Sequence, residues 1–457
     1  MKKLNSLMLV LVLLFICGCN TKVKSPKNVI LFISDGCGFN HVQVADYYQY
    51  GQEGQQSYEK FPVKLAAQTF PFGGSYDEAK AWSDFGYVKK SPTDSAAAAT
   101  ALSSGSKTQN GKLNIGNDGN KMVVLTDYFE KLNKSTGVVT SVMFAHATPA
   151  GFVAHNESRN NYLEISNEMI NESPLEVIMG CGHPLYKTKE TKKDEKADFN
   201  YNTVETNVLT DKPDYKYTGS KETWENLLKG KAGADADNDG KADSWTLIQD
   251  RNKIQKLATG DTPKRLLAVP RSHSTLQQSR LGDNKADAFA VRLNENMPTL
   301  AEMTNAALNV LDNDPDGFFV MIEGGAVDWA AHGNQSGRVI EEMIDFNLAV
   351  DAAVKWVEKN SSWDETLIIV TADHETGYLT GLDSDKKPYF KPIKNNGKGK
   401  MPGFQWNSGG HTNSLVPVYA KGPGSKMLKK SIIGKDPERG EYIDNTAISD
   451  TIVDLLK

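Results

Sequence analysis

Acidic and histidine side chains follow four long apolar segments of this sequence. They are Asp35 after residues 28–34, His146 and Thr148 after residues 137–142, Glu323 and Asp328 after residues 317–322, and Asp373 and His374 after residues 366–371. Asp328 and His332 are four residues apart, so both side chains face the same side of a helical turn. Mixed carboxylate and imidazole ligands suit zinc, whereas magnesium prefers oxygen ligands alone. The sequence therefore predicts a metal centre in which zinc is favoured.

The remaining histidines divide into two groups according to their neighbours. His411 follows a glycine-rich stretch, residues 397–410, and is a candidate ligand together with His332 and His374. The isolated histidines are interpreted instead as structural side chains with ordinary hydrogen bonds. They are His41, His155, His183 and His273.

Ser95 is a candidate nucleophile because it stands where a short polar turn, residues 91–94, leads into an alanine-rich segment that favours helix. The N–H groups at a helix N-terminus are unpaired and the helix dipole is positive there, so a hydroxyl at this point can meet an oxyanion. The alternative is that Thr93, Asp94 or Ser95 is an ordinary N-cap. The stretch alone does not decide between the two.

The apolar segments must be the elements that position these residues. Continuous apolar runs are typical of strands buried on both faces of a parallel sheet. Helical patterns, among them residues 299–311 and 339–357, alternate with the runs. We therefore predict an α/β fold: a doubly wound, mainly parallel central sheet with helices on both faces. Ligands gather at the carboxyl ends of strands in such sheets.

Residues 181–279 read as an irregular insertion at the sheet edge, in which only residues 245–257 have a clear helical pattern. Within it, Asp235, Asp237 and Asp239 have the spacing of a calcium loop, but Thr246 replaces the glutamate expected at the twelfth position. A structural Ca²⁺ and a solvated acidic turn are both open, and the missing glutamate favours the turn. The final strand is predicted at residues 415–420 and a packing helix at residues 445–456.

The N-terminus has the pattern of a secretory signal. Two lysines precede an apolar run that ends in Ile16-Cys17-Gly18-Cys19, a sequence similar to a bacterial lipobox. We expect residues 1–18 to be a lipoprotein-type signal peptide, residues 19–26 a tether, and Cys19 a lipid anchor for an exported protein of the periplasm or cell envelope. A plain signal peptide is the alternative. The other two cysteines, Cys37 and Cys181, are left open as a pair or as free thiols.

The composition indicates the size of the domain and excludes one class of partner. A chain of 457 residues with 39% hydrophobic and 24% charged residues has the material for a large globular domain. Its formal net charge of −5 argues against a nucleic-acid partner.

Five blocks of sequence, in chain order, resemble the motifs of the alkaline phosphatase family. They are TDSAA at residues 93–97, ATPA at 147–150, EGGAVD at 323–328, TADHETG at 371–377 and GHT at 410–412. Each block is weak alone, but their order over residues 27–457 is specific. The resemblance implies an alkaline-phosphatase-like catalytic domain over this range, hydrolysis of small phosphate monoesters, and a homodimer.

The resemblance also implies a role for each matching residue. Ser95 would become a phosphoserine, Arg159 would bind the phosphate, and Asp94 would help to orient it. Two Zn²⁺ and one Mg²⁺ would be held per chain. One zinc would have Asp328, His332 and His411; the second would have Asp35, Asp373, His374 and the Ser95 oxygen; magnesium would have Asp35, Thr148 and Glu323.

Two residues depart from the enteric bacterial members of the family. His146 stands where those members have an aspartate, and Trp329 stands where they have a lysine. His146 is therefore a further candidate ligand, and the identity of the third metal is open.

Two other functions are alternatives to a phosphomonoesterase. A diesterase or sulfatase of the same fold is disfavoured because the sequence has no Cys-x-Pro-x-Arg motif. A surface protein that binds calcium and phosphate without turnover would leave the nucleophile and the ligand set unexplained.

Overall fold

Seventeen strands are present in the computed structural model, which describes residues 24–189, 206–236 and 240–457. In chain order they are β1 (Asn28–Ile33), β2 (Val63–Gln68), β3 (Ser135–Met143), β4 (Val177–Cys181), β5 (Tyr186–Thr188), β6 (Asn207–Leu209), β7 (Thr246–Ile248), β8 (Leu266–Ala268), β9 (Phe318–Glu323), β10 (Thr366–Thr371), β11 (Glu375–Thr376), β12 (Leu379–Gly381), β13 (Phe404–Trp406), β14 (His411–Thr412), β15 (Val416–Lys421), β16 (Gly434–Asp436) and β17 (Gly440–Asp444).

Eleven of these strands form the central sheet, in the order β16-β17-β2-β15-β10-β1-β9-β3-β4-β8-β7. The seven from β10 to β7 are all parallel to one another. β15 is antiparallel to both β10 and β2, so mixed pairing is confined to one side of the sheet. The prediction of a mainly parallel sheet is confirmed, and β1 lies at its middle with every residue buried.

Twelve α-helices within the described ranges accompany the sheet. They are α1 (Phe39–Tyr50), α2 (Glu78–Ser83), α3 (Ser95–Ser104), α4 (Leu125–Glu130), α5 (Ala147–Ala150), α6 (Tyr162–Asn171), α7 (Lys221–Leu228), α8 (Arg251–Leu257), α9 (Leu300–Leu311), α10 (Ala326–His332), α11 (Ser336–Asn360) and α12 (Thr446–Leu456). Short 3₁₀ turns occupy Tyr58–Lys60, Tyr87–Lys89 and Ser425–Ser431.

Helices cover both faces of the sheet, as two adjacent residues of β9 illustrate. Phe318 packs edge-on against Trp356 of α11, with ring centroids 5.5 Å apart. Phe319 points to the opposite face, where its ring lies 5.2 Å from Phe129 of α4. Because successive side chains of a strand alternate between faces, a strand covered on both sides must be apolar throughout. This explains the continuous apolar runs of the sequence.

The described part of residues 181–279 contributes two strands to the sheet edge, β8 beside β4 and β7 beside β8. The prediction of one helix over residues 245–257 is confirmed only in its second half. The chain forms β7 first, where Thr246 and Leu247 pair with Leu266 and Leu267, and α8 begins only at Arg251. β7 is an edge strand whose residues are exposed or half-buried, so backbone pairing with β8, rather than burial, outweighs the local helical pattern.

The other predicted elements occur near their expected positions. The predicted helices over residues 299–311, 339–357 and 445–456 correspond to α9, α11 and α12. The strand predicted at residues 415–420 corresponds to β15, but it is not the final strand, because the hairpin of β16 and β17 follows it. Thr299 caps α9 by accepting a hydrogen bond from the Glu302 N–H at 3.1 Å. The predicted signal peptide and Cys19 lie outside the described residues. Among the helices that the structure does describe, none has the length and apolar character needed to cross a membrane.

Candidate active site

Asp35, Asp373 and His374 form a first cluster at the carboxyl ends of the neighbouring strands β1 and β10. The Nε2 atom of His374 lies 3.5 Å from an oxygen of Asp35 and 3.2 Å from an oxygen of Asp373. All three side chains are fully enclosed. Burial and the neighbouring carboxylates raise the pKa of Asp35, burial raises the pKa of Asp373 to about 7, and burial lowers the pKa of His374. The cluster therefore lacks a compensating cation.

Asp328 and His332 of α10 form a second cluster with His411 of β14. The two Nε2 atoms of the histidines are 3.0 Å apart, and they lie 3.4 and 3.5 Å from the same oxygen of Asp328. The Nδ1 atom of His332 is 2.7 Å from the Gly409 carbonyl oxygen, and that of His411 is 2.8 Å from the Thr93 carbonyl oxygen. Each Nδ1 thus lies at hydrogen-bond distance from a backbone carbonyl, and each Nε2 faces the cluster, as in metal-ligating histidines.

The two clusters are tied together by the short β11–β14 ladder. Thr376 pairs with His411 in this ladder, and the imidazole rings of His374 and His411 stack with centroids 3.6 Å apart. The Thr376 hydroxyl also donates to Asp328 at 2.5 Å. Thr376 was not expected at the site from the sequence, although this residue lies within the block at residues 371–377.

A third group of donors surrounds Glu323 at the end of β9. Thr140 donates a short hydrogen bond to one Glu323 oxygen, and burial raises the pKa of Glu323 to about 7. The other Glu323 oxygen, the Thr148 hydroxyl and the His146 Nδ1 atom are buried without hydrogen-bond partners among the described residues. Burial and the charge of Arg159 lower the pKa of His146 to about 3, so its ring is neutral.

The unpaired atoms supply a test of whether these residues fit metal ions. Both oxygens of Asp35 and one oxygen of Asp373 are also buried without hydrogen-bond partners in the described part of the chain. Leaving one buried polar group without a partner costs about 1–3 kcal/mol, and a charged group costs more. Native proteins therefore pair nearly all of their buried polar groups. Carboxylates, neutral imidazoles and a hydroxyl that converge in this way fit divalent cations.

Ser95 is the first residue of α3, and Asp94 is its N-cap. An Asp94 oxygen accepts a hydrogen bond from the Ala97 N–H at 3.0 Å. The capping role that the sequence left open among three residues therefore belongs to Asp94. The Ser95 hydroxyl, which is 2% exposed, lies 3.3 Å from Nε2 of His374. Ser95 thus faces the first cluster at the positive end of a helix.

Arg159 lies opposite Ser95, in the loop between α5 and α6. Its Nη1 atom donates to Asp94 at 3.1 Å, and the same Asp94 oxygen accepts from the Gly111 N–H at 3.0 Å. The backbone of Arg159 is fixed as well, because its N–H donates to the Gly111 carbonyl at 2.7 Å. One carboxylate therefore joins the helix cap to the guanidinium.

Several of the predicted residues line an open cleft of about 410 Å³. Its lining comprises Ser95, His146, Arg159, Gln278, Asp328, Trp329, His332 and His411. Trp329 lies edge-on to His146, with ring centroids 5.6 Å apart. Gln278, held by a 3.0 Å hydrogen bond to Gln335, was not expected from the sequence. No local motif marks it.

The residues assigned structural roles lie elsewhere in the chain. His155 and His183 form hydrogen bonds through both ring nitrogens, as expected. His41 accepts from the Gly38 N–H at 3.2 Å, but its Nε2 has no partner among the described residues. His273 lies 3.6 Å from Asp214.

The cysteines and the acidic loop also have defined outcomes. Cys37 and Cys181 are both buried free thiols. Of the three residues of the expected calcium loop, Asp237 and Asp239 lie outside the described residues. Asp235 accepts a hydrogen bond from the Gly240 N–H at 2.9 Å. The calcium site stays a prediction.

Comparison with known proteins gives a consistent result. The family model described as "Alkaline phosphatase" matches residues 26–404. Alkaline phosphatase 3 of Bacillus subtilis (strain 168) is 26% identical over 500 residues, which cover 94% of this chain and 89% of that protein. The tissue-nonspecific alkaline phosphatase of Homo sapiens is 26% identical over 435 residues, with 88% and 75% covered. A histidine-to-aspartate mutant of TAB5 alkaline phosphatase, with Mg bound in its M3 site, has a TM-score of 0.63 and 25% identity, with 95% and 99% covered.

Proposed function

We propose, from the premise that this chain belongs to the alkaline phosphatase family and is therefore a phosphomonoesterase, that Ser95 carries the phosphoryl group during turnover. The observation that carries the proposal is the place of the Ser95 hydroxyl. It lies at the N-terminus of α3, 3.3 Å from His374, and lines the same cleft as the second cluster and Arg159. A hydroxyl so placed can approach a bound phosphate and the positive end of a helix together.

Enzymes of this family are metal-dependent, and we assign the three groups of ligands to two Zn²⁺ and one Mg²⁺. Asp328, His332 and His411 would hold one zinc ion. Asp35, Asp373 and His374, with the Ser95 oxygen, would hold the second. Bound ions would supply Lewis acidity, which lowers the pKa of the serine hydroxyl and of water and neutralises charge on the phosphate.

The third ion would be held by Asp35, Thr148 and Glu323, with His146 as a further donor. Oxygen donors favour magnesium, whereas the free Nδ1 of His146 adds a nitrogen that favours zinc. A magnesium ion occupies the M3 site of the TAB5 mutant in which a histidine is replaced by aspartate. Metal analysis after dialysis separates the two cases: two zinc and one magnesium per chain support our assignment, and zinc in all three sites contradicts it.

The reaction would proceed in two displacements at phosphorus. The Ser95 oxygen forms a bond to phosphorus as the ester P–O bond breaks, and the serine proton passes to solvent. The departing alcohol oxygen takes a proton from water in the open cleft. A water molecule then attacks phosphorus, the Ser95–phosphorus bond breaks, and inorganic phosphate leaves as Ser95 regains a proton.

Arg159 would bind two phosphate oxygens in both steps. A guanidinium presents its donors in a planar fork that matches two oxygens at once. The hydrogen bond to Asp94 uses only Nη1, so the other donors of Arg159 remain for the substrate. Asp94 is therefore a positioning residue, because it fixes the guanidinium relative to α3.

Replacement of the nucleophile tests this assignment. We expect Ser95→Ala to lose nearly all hydrolysis of an aryl phosphate, because no other hydroxyl of α3 lines the cleft. Ser104→Ala, in the last turn of the same helix, is the matched control and keeps activity. Mass spectrometry of quenched wild-type enzyme detects phosphate on the Ser95 peptide. Equal hydrolysis of a diester, or full activity of Ser95→Ala, would refute the proposal.

We further propose that the mature protein is exported and dimeric, with residues 1–18 removed, residues 19–26 as a tether and Cys19 lipidated. The support is the lipobox-like sequence for the anchor and the family for the dimer. A Cys19→Ala variant released from the membrane fraction supports the anchor, and one that stays there contradicts it. Light scattering of the purified protein gives the oligomeric state.

A further inference from the structure

A second cavity, of about 420 Å³, shares no lining residue with the catalytic cleft. This volume falls in the range of about 300–1,000 Å³ that is typical of small-molecule sites. Five aromatic residues line it, Phe39, Tyr76, Trp82, Tyr378 and Phe390. Its charged lining residues are Glu375, Lys391, Glu438 and Arg439.

The guanidinium of Arg439 is placed in this wall without a carboxylate partner. It lies 4.8 Å from the ring of Phe39 and 5.7 Å from the ring of Trp82. Its Nη2 atom donates to the Asn40 side-chain oxygen at 3.0 Å, its sole side-chain hydrogen bond among the described residues. Within that part of the chain, no carboxylate oxygen approaches the guanidinium to 4.0 Å. Burial lowers the pKa of Arg439, as expected for a cation with incomplete compensation.

Asp436 also lies near Arg439, but both of its oxygens already accept other hydrogen bonds. One oxygen accepts from the Tyr76 hydroxyl and from the Trp82 indole N–H, both at 2.8 Å. The other accepts from the backbone N–H groups of Glu438 and Arg439, at 2.9 and 2.7 Å. Asp436 thus fixes two aromatic walls and leaves the guanidinium available.

We propose that this cavity binds an aromatic carboxylate, whose anionic group pairs with Arg439 and whose ring lies among Phe39, Trp82 and Phe390. A carboxylate matches the guanidinium fork through two oxygens, and aromatic rings prefer the edge-to-face contacts that such walls offer. A monoanion fits the local charge better than a phosphate dianion, because the lining holds two cations, Lys391 and Arg439, and two carboxyl groups, Glu375 and Glu438. The site is therefore distinct in ligand chemistry from the phosphate cleft.

Calorimetric titration of the metal-loaded enzyme with naphthoate tests the proposal. Saturating inorganic phosphate is present throughout, so that the catalytic cleft is already filled. We expect a Kd of about 1 mM or tighter, and at least about tenfold weaker binding of the neutral amide of the same ring. Ser95→Ala should bind naphthoate like the wild type, which separates this result from the fate of the phosphoserine proposal.

Variants then identify the anion partner. Arg439→Gln should weaken naphthoate binding at least about tenfold, and Arg439→Lys should weaken it less, because the charge remains and the fork is lost. Arg271→Gln, at an exposed arginine that does not line this cavity, is the control and should bind normally. In wild-type crystals soaked with a bromonaphthoate, we expect the anomalous bromine peak among the aromatic walls, so the test survives a variant that fails to fold. Displacement of naphthoate by phosphate, equal binding of the amide, or a bromine peak elsewhere would overturn the proposal.

Discussion

The substitution Arg159→Lys tests whether phosphate is held by a fork or by a point charge. Arg159 and Asp94 are largely enclosed, with side chains 17% and 20% exposed, and they are joined at 3.1 Å. Lysine keeps the positive charge, but a single ammonium cannot contact Asp94 and two phosphate oxygens in the same planar arrangement. The variant therefore removes the planar arrangement of donors and leaves the net charge unchanged.

The expected effect follows from the loss of one charge-assisted hydrogen bond. Such a bond to a charged group contributes about 1.5–3 kcal/mol when it is enclosed. If the contact is made to the phosphate in the transition state, its loss lowers kcat/KM roughly 10- to 150-fold, since about 1.4 kcal/mol corresponds to a factor of ten. Product inhibition should weaken in parallel, because inorganic phosphate uses the same two contacts.

Steady-state kinetics with an aryl phosphate, together with the Ki of inorganic phosphate, measures both effects. Arg271→Lys, at an exposed arginine outside the cleft, is the matched control and should change neither constant. A decrease in kcat/KM of less than about threefold for Arg159→Lys, with an unchanged Ki, would mean that Arg159 acts only through its charge or not at all.

Three further predictions concern the metal centre and the core. Thr376→Val removes the hydroxyl that orients Asp328 and should weaken zinc binding about 10- to 100-fold, as measured by competition with a chelator; unchanged affinity would refute this role. Chelator-treated protein should lose thermal stability as pH rises from about 4 to 7. The reason is that burial raises the pKa values of Asp373 and Glu323 to about 7, so the folded state favours the protonated forms of these two side chains. A melting temperature that stays constant or rises over this range would contradict the prediction. Phe319→Ala should lower the free energy of unfolding by about 3–5 kcal/mol in denaturant titrations, whereas exposed Phe72→Ala should change it by less than about 0.5 kcal/mol.

The sequence could predict the strands and the grouping of the candidate ligands because both follow from short patterns. An apolar run such as residues 366–371 has no other stable place than a doubly covered strand, and Asp373 and His374 are then positioned by chain connectivity. Contacts between segments that are distant in the sequence are not marked by any short pattern. Gln278 enters the cleft through its bond to Gln335, and the pairing of β7 with β8 overrides a helical pattern.

The capping of α3 illustrates the limit within a single motif. Thr93, Asp94 and Ser95 are all good N-caps, so local propensity does not rank them. Asp94 is the cap because its second oxygen is also held by Gly111 and Arg159, which are brought there by the fold. That choice leaves the Ser95 hydroxyl free.

The place of β1 in the sheet has a consequence for the order of folding. Val29 pairs with Phe319 on one side and with Leu367 on the other, so both neighbours of β1 come from segments far along the chain. Contacts between such distant segments close large loops and form slowly. Asp35 therefore meets Asp373 and His374 only after the middle of the sheet has assembled. Any metal ion that these residues hold would therefore be bound only after the middle of the sheet has assembled.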